Sequence, residues 1–206
     1  MHIMQLMSDK IDHDGLYRTA EAQAGYFTAQ QAIDAGMDRS TLSRHARPGG
    51  RYVRVRQGLY RLRHFPSSAH EHVVAAWLGV SDPGAVISHE SALELYDLSD
   101  VIPNAVHVSI SRAQRGQRPR PCVRFHTLEQ PPGSKEVRSL HGVPVTSPER
   151  TIVDALAAGT QPEQIELATA QALERGLTTP RRLRAAAEHR SARVRDLIER
   201  TLREAS

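Results

Sequence analysis

The sequence predicts an α+β protein: an N-terminal winged helix-turn-helix followed by an α+β domain with a helical C-terminal end. Three observations carry this expectation. The first 65 residues order their signals as helix, helix, short turn, helix and two alternating runs. From about residue 67, short β-like runs alternate with helical segments and basic or Pro/Gly loops. Beyond residue 147, proline-marked helix starts and an apolar stripe at helical spacing replace the strand pattern. "RHFPSSAHEH", with Pro66 and two serines, reads as the connector, which gives expected domains of 1–66 and 67–206.

Within the first part, residues 16 to 24 suit a short helix ending near Gly25. "TAQQAIDAG" opens with Thr28 three places before Gln31, the spacing of a capping box, and closes at Gly36. "DRSTLSRHAR" follows after a very short turn, with Asp38 as its N-cap. "RYVRV" and "GLYRL" flank Arg56-Gln57-Gly58, which predicts a β-hairpin whose glycine takes a positive φ.

Within the second part, residues 70 to 78 and the segment starting at Ser88 read as helices. "AVHVSIS", "CVRFHT" and "GVPVTS" read as strands. Ser147-Pro148 and Thr179-Pro180 each place an N-cap before a first-turn proline. Val194, Leu197, Ile198 and Thr201 recur at helical spacing, so the last helix has one apolar face, for packing or for a partner. No internal repeat or low-complexity tract interrupts the chain.

Composition narrows the class. The chain of 206 residues has room for one medium domain or two small ones, and 39% hydrophobic content suits a globular protein. The formal net charge of +4 permits a polyanionic partner without requiring one. A single cysteine, Cys122, rules out a disulfide framework and suits a reducing cytoplasm. "MHIMQLMSDK" lacks the pattern of a signal peptide, and no apolar run approaches bilayer length, so no membrane association is expected.

The positive charge is concentrated. "RHARPGGRYVRVRQGLYRLR", residues 44 to 63, has seven arginines and no acid. In a helix-turn-helix the second helix lies in the major groove and its N-terminal residues reach base edges. Here it offers Arg39, Ser40, Thr41, Ser43, Arg44 and Arg47, with Leu42 turned to the core. Arginine bonds guanine bidentately, and the hydroxyls suit bases or phosphates. The hairpin adds Arg51, Arg54, Arg56, Arg61 and Arg63, suited to phosphates or a minor groove. On an alternating strand Arg54 and Arg56 share one face, opposite Val53 and Val55. A charge run alone would favour a merely solvated surface; its placement where a winged helix docks favours DNA. "SRAQRGQRPRP", covering the basic loop 112–120, fits either an RNA contact or a soluble hairpin tip, and it lacks the aromatic residues of a stacking platform.

Catalytic and metal constellations are not legible. His70 and His72 point to different faces of a helix, no HExxH occurs, and His89-Glu90 at a helix start suggests capping, so no metal is expected. No GxSxG elbow is present, Cys122 reads as a small buried hydrophobe in a strand, and Gly49-Gly50 lacks the lysine of a P-loop. No catalytic residue and no cofactor are expected. "VPVTSPERTIVDAL", residues 143 to 156, reads as a strand entering a capped helix, with Glu149 near the positive helix end and Arg150 and Asp154 in pairing distance.

"GYFTAQQAIDAGMDRSTLSRHARPGGRYVRVRQGLYRL", "ISHESALELYDL" and "GVPVTSPERTIVDAL", in this order, resemble the AbiEi antitoxins, transcriptional regulators of type IV toxin–antitoxin systems. The resemblance runs over roughly residues 16 to 160. It implies an N-terminal domain that binds promoter DNA and represses its own operon, and a C-terminal domain that counters a nucleotidyltransferase-like toxin. By the same resemblance, the DNA-contacting elements are the helix over residues 39–47 and the wing over residues 51–63. Two other classes share the layout. A nuclease would need a carboxylate with E-x-K or D-x-K, and neither Lys10 nor Lys135 follows an acid at that spacing. A stand-alone repressor sensing a ligand or partner through its second domain is the remaining alternative.

Overall fold

The computed structural model describes residues 11–80, 82–116, 118–128 and 132–204. The reading of the first ten residues as no signal peptide therefore lies outside the described residues, as does Gln117 of the basic loop. The chain divides into two units, Met1–Gly79 and Val80–Ser206.

The first unit runs α1 (His13–Ala22), β1 (Tyr26–Thr28), α2 (Ala29–Asp34), α3 (Arg39–His45), β2 (Tyr52–Arg56), β3 (Leu59–Leu62) and α4 (Glu71–Trp77). Its antiparallel sheet has the order β1-β3-β2. This is the helix-turn-helix and wing that the sequence predicts, with one strand added. β1 is three residues long, too short for a readable period. The capping box of α2 forms as expected: the Gln31 backbone N–H donates to Thr28 Oγ1, and the Thr28 N–H to Gln31 Oε1. Asp38 accepts from the Thr41 N–H and starts α3, and Gly58 takes φ 76° at the hairpin tip.

Leu16, Ala20, Phe27, Ala32, Met37 and Leu42 pack into one core with Tyr52 and Tyr60 from the wing. The Phe27 ring meets Tyr52 edge-on at 4.9 Å and stacks on Tyr60 at 5.8 Å. These aromatics set the inward side of β2. Tyr52 is the buried residue of β2, whereas Val53 and Val55 are 39% and 46% exposed. The larger apolar surface of Tyr52 fixes which side of the strand turns inward. A register shift between Arg54 and Arg56 then separates the two arginines that strict alternation would keep together.

The sequence reading puts the domain division at residue 66, whereas the first unit extends to Gly79. The physical tie is α4. Arg61 Nη2 bonds Glu71 at 3.0 Å, and Arg56 Nη2 donates to the Ala75 carbonyl at 2.6 Å.

The second unit contains a five-stranded sheet and five helices among its described residues. The elements are β4 (Val86–Ile87), α5 (His89–Tyr96), β5 (Val106–Ser111), β6 (Val123–Leu128), β7 (Val137–Leu140), β8 (Val143–Thr146), α6 (Pro148–Ala158), α7 (Pro162–Glu174), α8 (Pro180–Ala187) and α9 (Ala192–Glu204). The sheet order is β6-β5-β4-β8-β7, with β4–β8 and β5–β6 parallel and the other pairs antiparallel. Ile87, Val108, Ile110, Val145, Ile152, Ile165 and Leu183 are fully buried. Val194, Ile198 and Thr201 of α9 are buried too, so its apolar stripe is a packing face. Cys122 is exposed at φ 58° in the turn before β6, not the buried strand residue expected; the strand begins one residue later.

Candidate nucleic-acid interface

The turn from α3 to the wing sets the geometry of the basic surface. Gly49 has φ 81°, and a Cβ on Gly50 would lie 2.1 Å from the His45 carbonyl oxygen. Only glycine lets the chain pass so close to the end of α3. Arg63 then secures this turn: its guanidinium donates to the carbonyls of Gly50, Arg47 (3.2 Å) and Tyr52 (3.1 Å).

The predicted arginines thus divide into two groups. Arg56, Arg61 and Arg63 are bonded within the first unit. Arg56 holds Ala75, Arg63 holds the turn, and Arg61 bonds Glu71 and the Pro66 carbonyl while lying 5.5 Å from the Tyr26 ring centre. Arg39, Arg44, Arg47, Arg51 and Arg54 are exposed, and among the described residues their side chains make no hydrogen bond or ion pair. Burial lowers the His45 pKa, and the neighbouring Arg44 and Arg51 push it down further, a sign of the local positive potential.

The hydroxyls divide similarly. Ser40 Oγ donates to Asp38 Oδ1 at 2.6 Å and Thr41 Oγ1 to Oδ2 at 3.0 Å, so both reinforce the cap. These bonds, with the Thr41 N–H, hold the Asp38 carboxyl down at about 2. Ser43 is exposed on the same helix. A carboxylate therefore stands beside the N-terminal turn of α3, outside the acid-free run that the sequence displays.

Arginine is used differently in the second unit. Arg150 bonds Asp154 and Glu136 at 2.8 and 2.9 Å, Arg190 also bonds Asp154, and Arg182 bonds Glu149 at 2.8 Å. Burial opposes the Arg150 charge, but Asp154 and Glu136 outweigh it and raise the pKa. The basic loop, by contrast, exposes Arg112, Arg115 and Arg118 around a 3-10 turn at Arg112–Gln114. One constellation went unnoticed in the sequence: His89, His107 and His126 come from α5, β5 and β6 and gather in the second unit.

The fold and this surface define a winged helix-turn-helix protein. Residues 16–63 match the family model described as "Transcriptional regulator, AbiEi antitoxin". The match lies entirely within the first unit. The crystal structure of the RV2827C protein from Mycobacterium tuberculosis has a similar fold, with a TM-score of 0.55 and 15% sequence identity; the alignment covers 93% of this chain and 75% of that one. No curated protein matches the chain in sequence. No described helix is long and apolar enough to cross a membrane.

Proposed function

We propose that the protein is an autorepressing antitoxin of the AbiEi type. The first unit reads duplex promoter DNA, and the second counters a nucleotidyltransferase-like toxin in the cytoplasm, without catalysis by this chain. The observation that carries the DNA reading is the set of five exposed arginines, Arg39, Arg44, Arg47, Arg51 and Arg54, on and around α3 and the wing. α3 enters the major groove with Arg39 and Arg44 toward base edges, and Ser43 beside them. Arg47, Arg51 and Arg54 lie along the flanking phosphates. Ser40 and Thr41 contribute by fixing the helix start, and Arg56, Arg61 and Arg63 by holding the wing in shape.

A promoter–reporter fusion and a growth assay with co-expressed toxin test the two activities in the full chain. Changing Arg39 and Arg44 together to Ala is expected to abolish repression while growth rescue persists. Loss of rescue along with repression would mean that the protein acts through transcription alone, as the stand-alone repressor alternative requires. Incubation with nucleic acid and Mg²⁺ or Mn²⁺ is expected to give no cleavage; cleavage abolished by a single substitution would overturn the non-catalytic reading.

A further inference from the structure

The second unit gathers three imidazoles that no part of the antitoxin reading uses. His89 opens α5, His107 lies in β5 and His126 faces it from the parallel strand β6, where Ser109 is its register partner. One ring nitrogen from each lies within 4.8 Å of the others. His107 and His89 are 2% and 7% exposed. His126 Nε2 and His107 Nδ1 are 3.2 Å apart, and the His89 and His126 rings stack at 3.5 Å. Tetrahedral zinc, with Zn–N bonds of roughly 2.0–2.1 Å, needs ligand nitrogens about 3.3 Å apart. One pair already has that spacing, and the third ring offers a nitrogen within 4.8 Å of both, which a reorientation of the stacked His89 and His126 rings must turn toward the ion.

We propose that His89, His107 and His126 form a binding site for a divalent ion of the zinc class. The surrounding groups fit the role. Ligation through His107 Nδ1 puts the remaining proton on Nε2, a buried atom with no hydrogen-bond partner that lies 3.8 Å from Glu90 Oε2. A carboxylate behind a ligating imidazole is the usual outer partner, fixing the tautomer and raising ligand basicity. Glu90 is itself held by Thr160 Oγ1 at 2.9 Å. Ser109 Oγ donates to Ser88 Oγ, which meets His89 Nδ1 at 2.8 Å. A His89 proton on Nδ1 leaves its Nε2 lone pair for the metal. The backbone at His89 has φ 53°, a rare conformation that persists where surrounding contacts impose it.

Electrostatics favours the protonation state a ligand needs. Burial lowers the pKa of all three rings, to about 2 for His89 and about 4 for His126, where the neighbouring His107 adds to the effect. The imidazoles are neutral at neutral pH, and a metal ion needs them so. Three nitrogen ligands leave the fourth position to water or to a carboxylate moving in. The ion would bridge the first turn of α5 to two sheet strands.

The probe is Zn²⁺ alone, added to the purified, chelator-treated full chain and followed by calorimetry. One ion per chain, bound at least about 100-fold more weakly by His126→Ala, is the expected result. His64→Ala, on an exposed residue outside the cluster, is expected to leave the affinity unchanged. No binding, or binding that His126→Ala leaves intact, overturns the site. Should His126→Ala fail to fold, Co²⁺ in the wild-type chain decides. The intense visible d–d bands of tetrahedral nitrogen ligation support the site; the weak octahedral spectrum of surface-bound cobalt contradicts it.

Discussion

The α3–wing region and the surroundings of α6 contain the same cation and use it in opposite ways. In α3 and the wing, five arginines stand exposed with no acid bonded to them among the described residues. Around α6, Arg150, Arg182 and Arg190 are each bonded to Asp154, Glu136 or Glu149. Net charge does not separate these roles. What separates them is whether the fold delivers a carboxylate or a backbone carbonyl to the guanidinium. A free guanidinium is a docking group for phosphate or guanine; a paired one is part of the architecture.

The largest expected effect breaks the paired set. Asp154 is 3% exposed and bonded by Arg150 and Arg190. Asp154→Ala leaves those charges without their shared acid and is expected to cost roughly 3–5 kcal/mol of stability. Urea unfolding of the full chain measures it, and a loss under 1 kcal/mol would show that the network contributes little. The boundary case is Arg63, which lies within the basic run yet is bonded like an arginine of the second unit. Arg63→Ala is expected to cost about 1.5–3 kcal/mol of first-unit stability, since it frees three carbonyls from a charged donor. An unchanged unfolding curve together with weakened promoter binding would move Arg63 into the contact set.

Arg44→Ala sharpens the comparison from the other side. It is expected to leave stability unchanged and to weaken promoter binding by roughly 1–3 kcal/mol, with preference relaxed at one base pair. Competition between promoter and mismatched duplexes measures this; equal weakening on every sequence would make Arg44 a phosphate contact. The smallest effect is that of Asp38→Asn. Asparagine keeps an oxygen for the Thr41 N–H and removes the one charge opposing DNA at the helix start. Tighter duplex binding, most evident at low salt, is expected; unchanged affinity would place Asp38 away from the phosphates.

The legible parts of this protein were local ones. Thr28 with Gln31, Asp38, Gly58 and the proline-marked starts of α6 and α8 each act within a few residues, so sequence spacing reveals them. The partners of Arg56, Arg61 and Arg63 were not legible, because Ala75 and Glu71 come from the next helix and Gly50 from a turn across the sheet. The inward side of β2 was not legible because alternation gives two faces but not which one is buried; Tyr52 packing against Phe27 decides that. The three histidines escaped for the same reason as the arginine partners: only the β4–β5–β6 pairing brings their segments together.

The salt dependence of promoter binding tests the division of arginines most directly. Three free guanidiniums on phosphates, Arg47, Arg51 and Arg54, predict a log–log slope of about −2.7 for the wild-type chain. Arg54→Ala should reduce its magnitude by about 1 while weakening all sequences alike. Arg61→Lys should leave the slope unchanged, because that cation already faces Glu71. A salt-insensitive interaction, or a slope that falls equally in the Arg54 and Arg61 variants, would contradict the account.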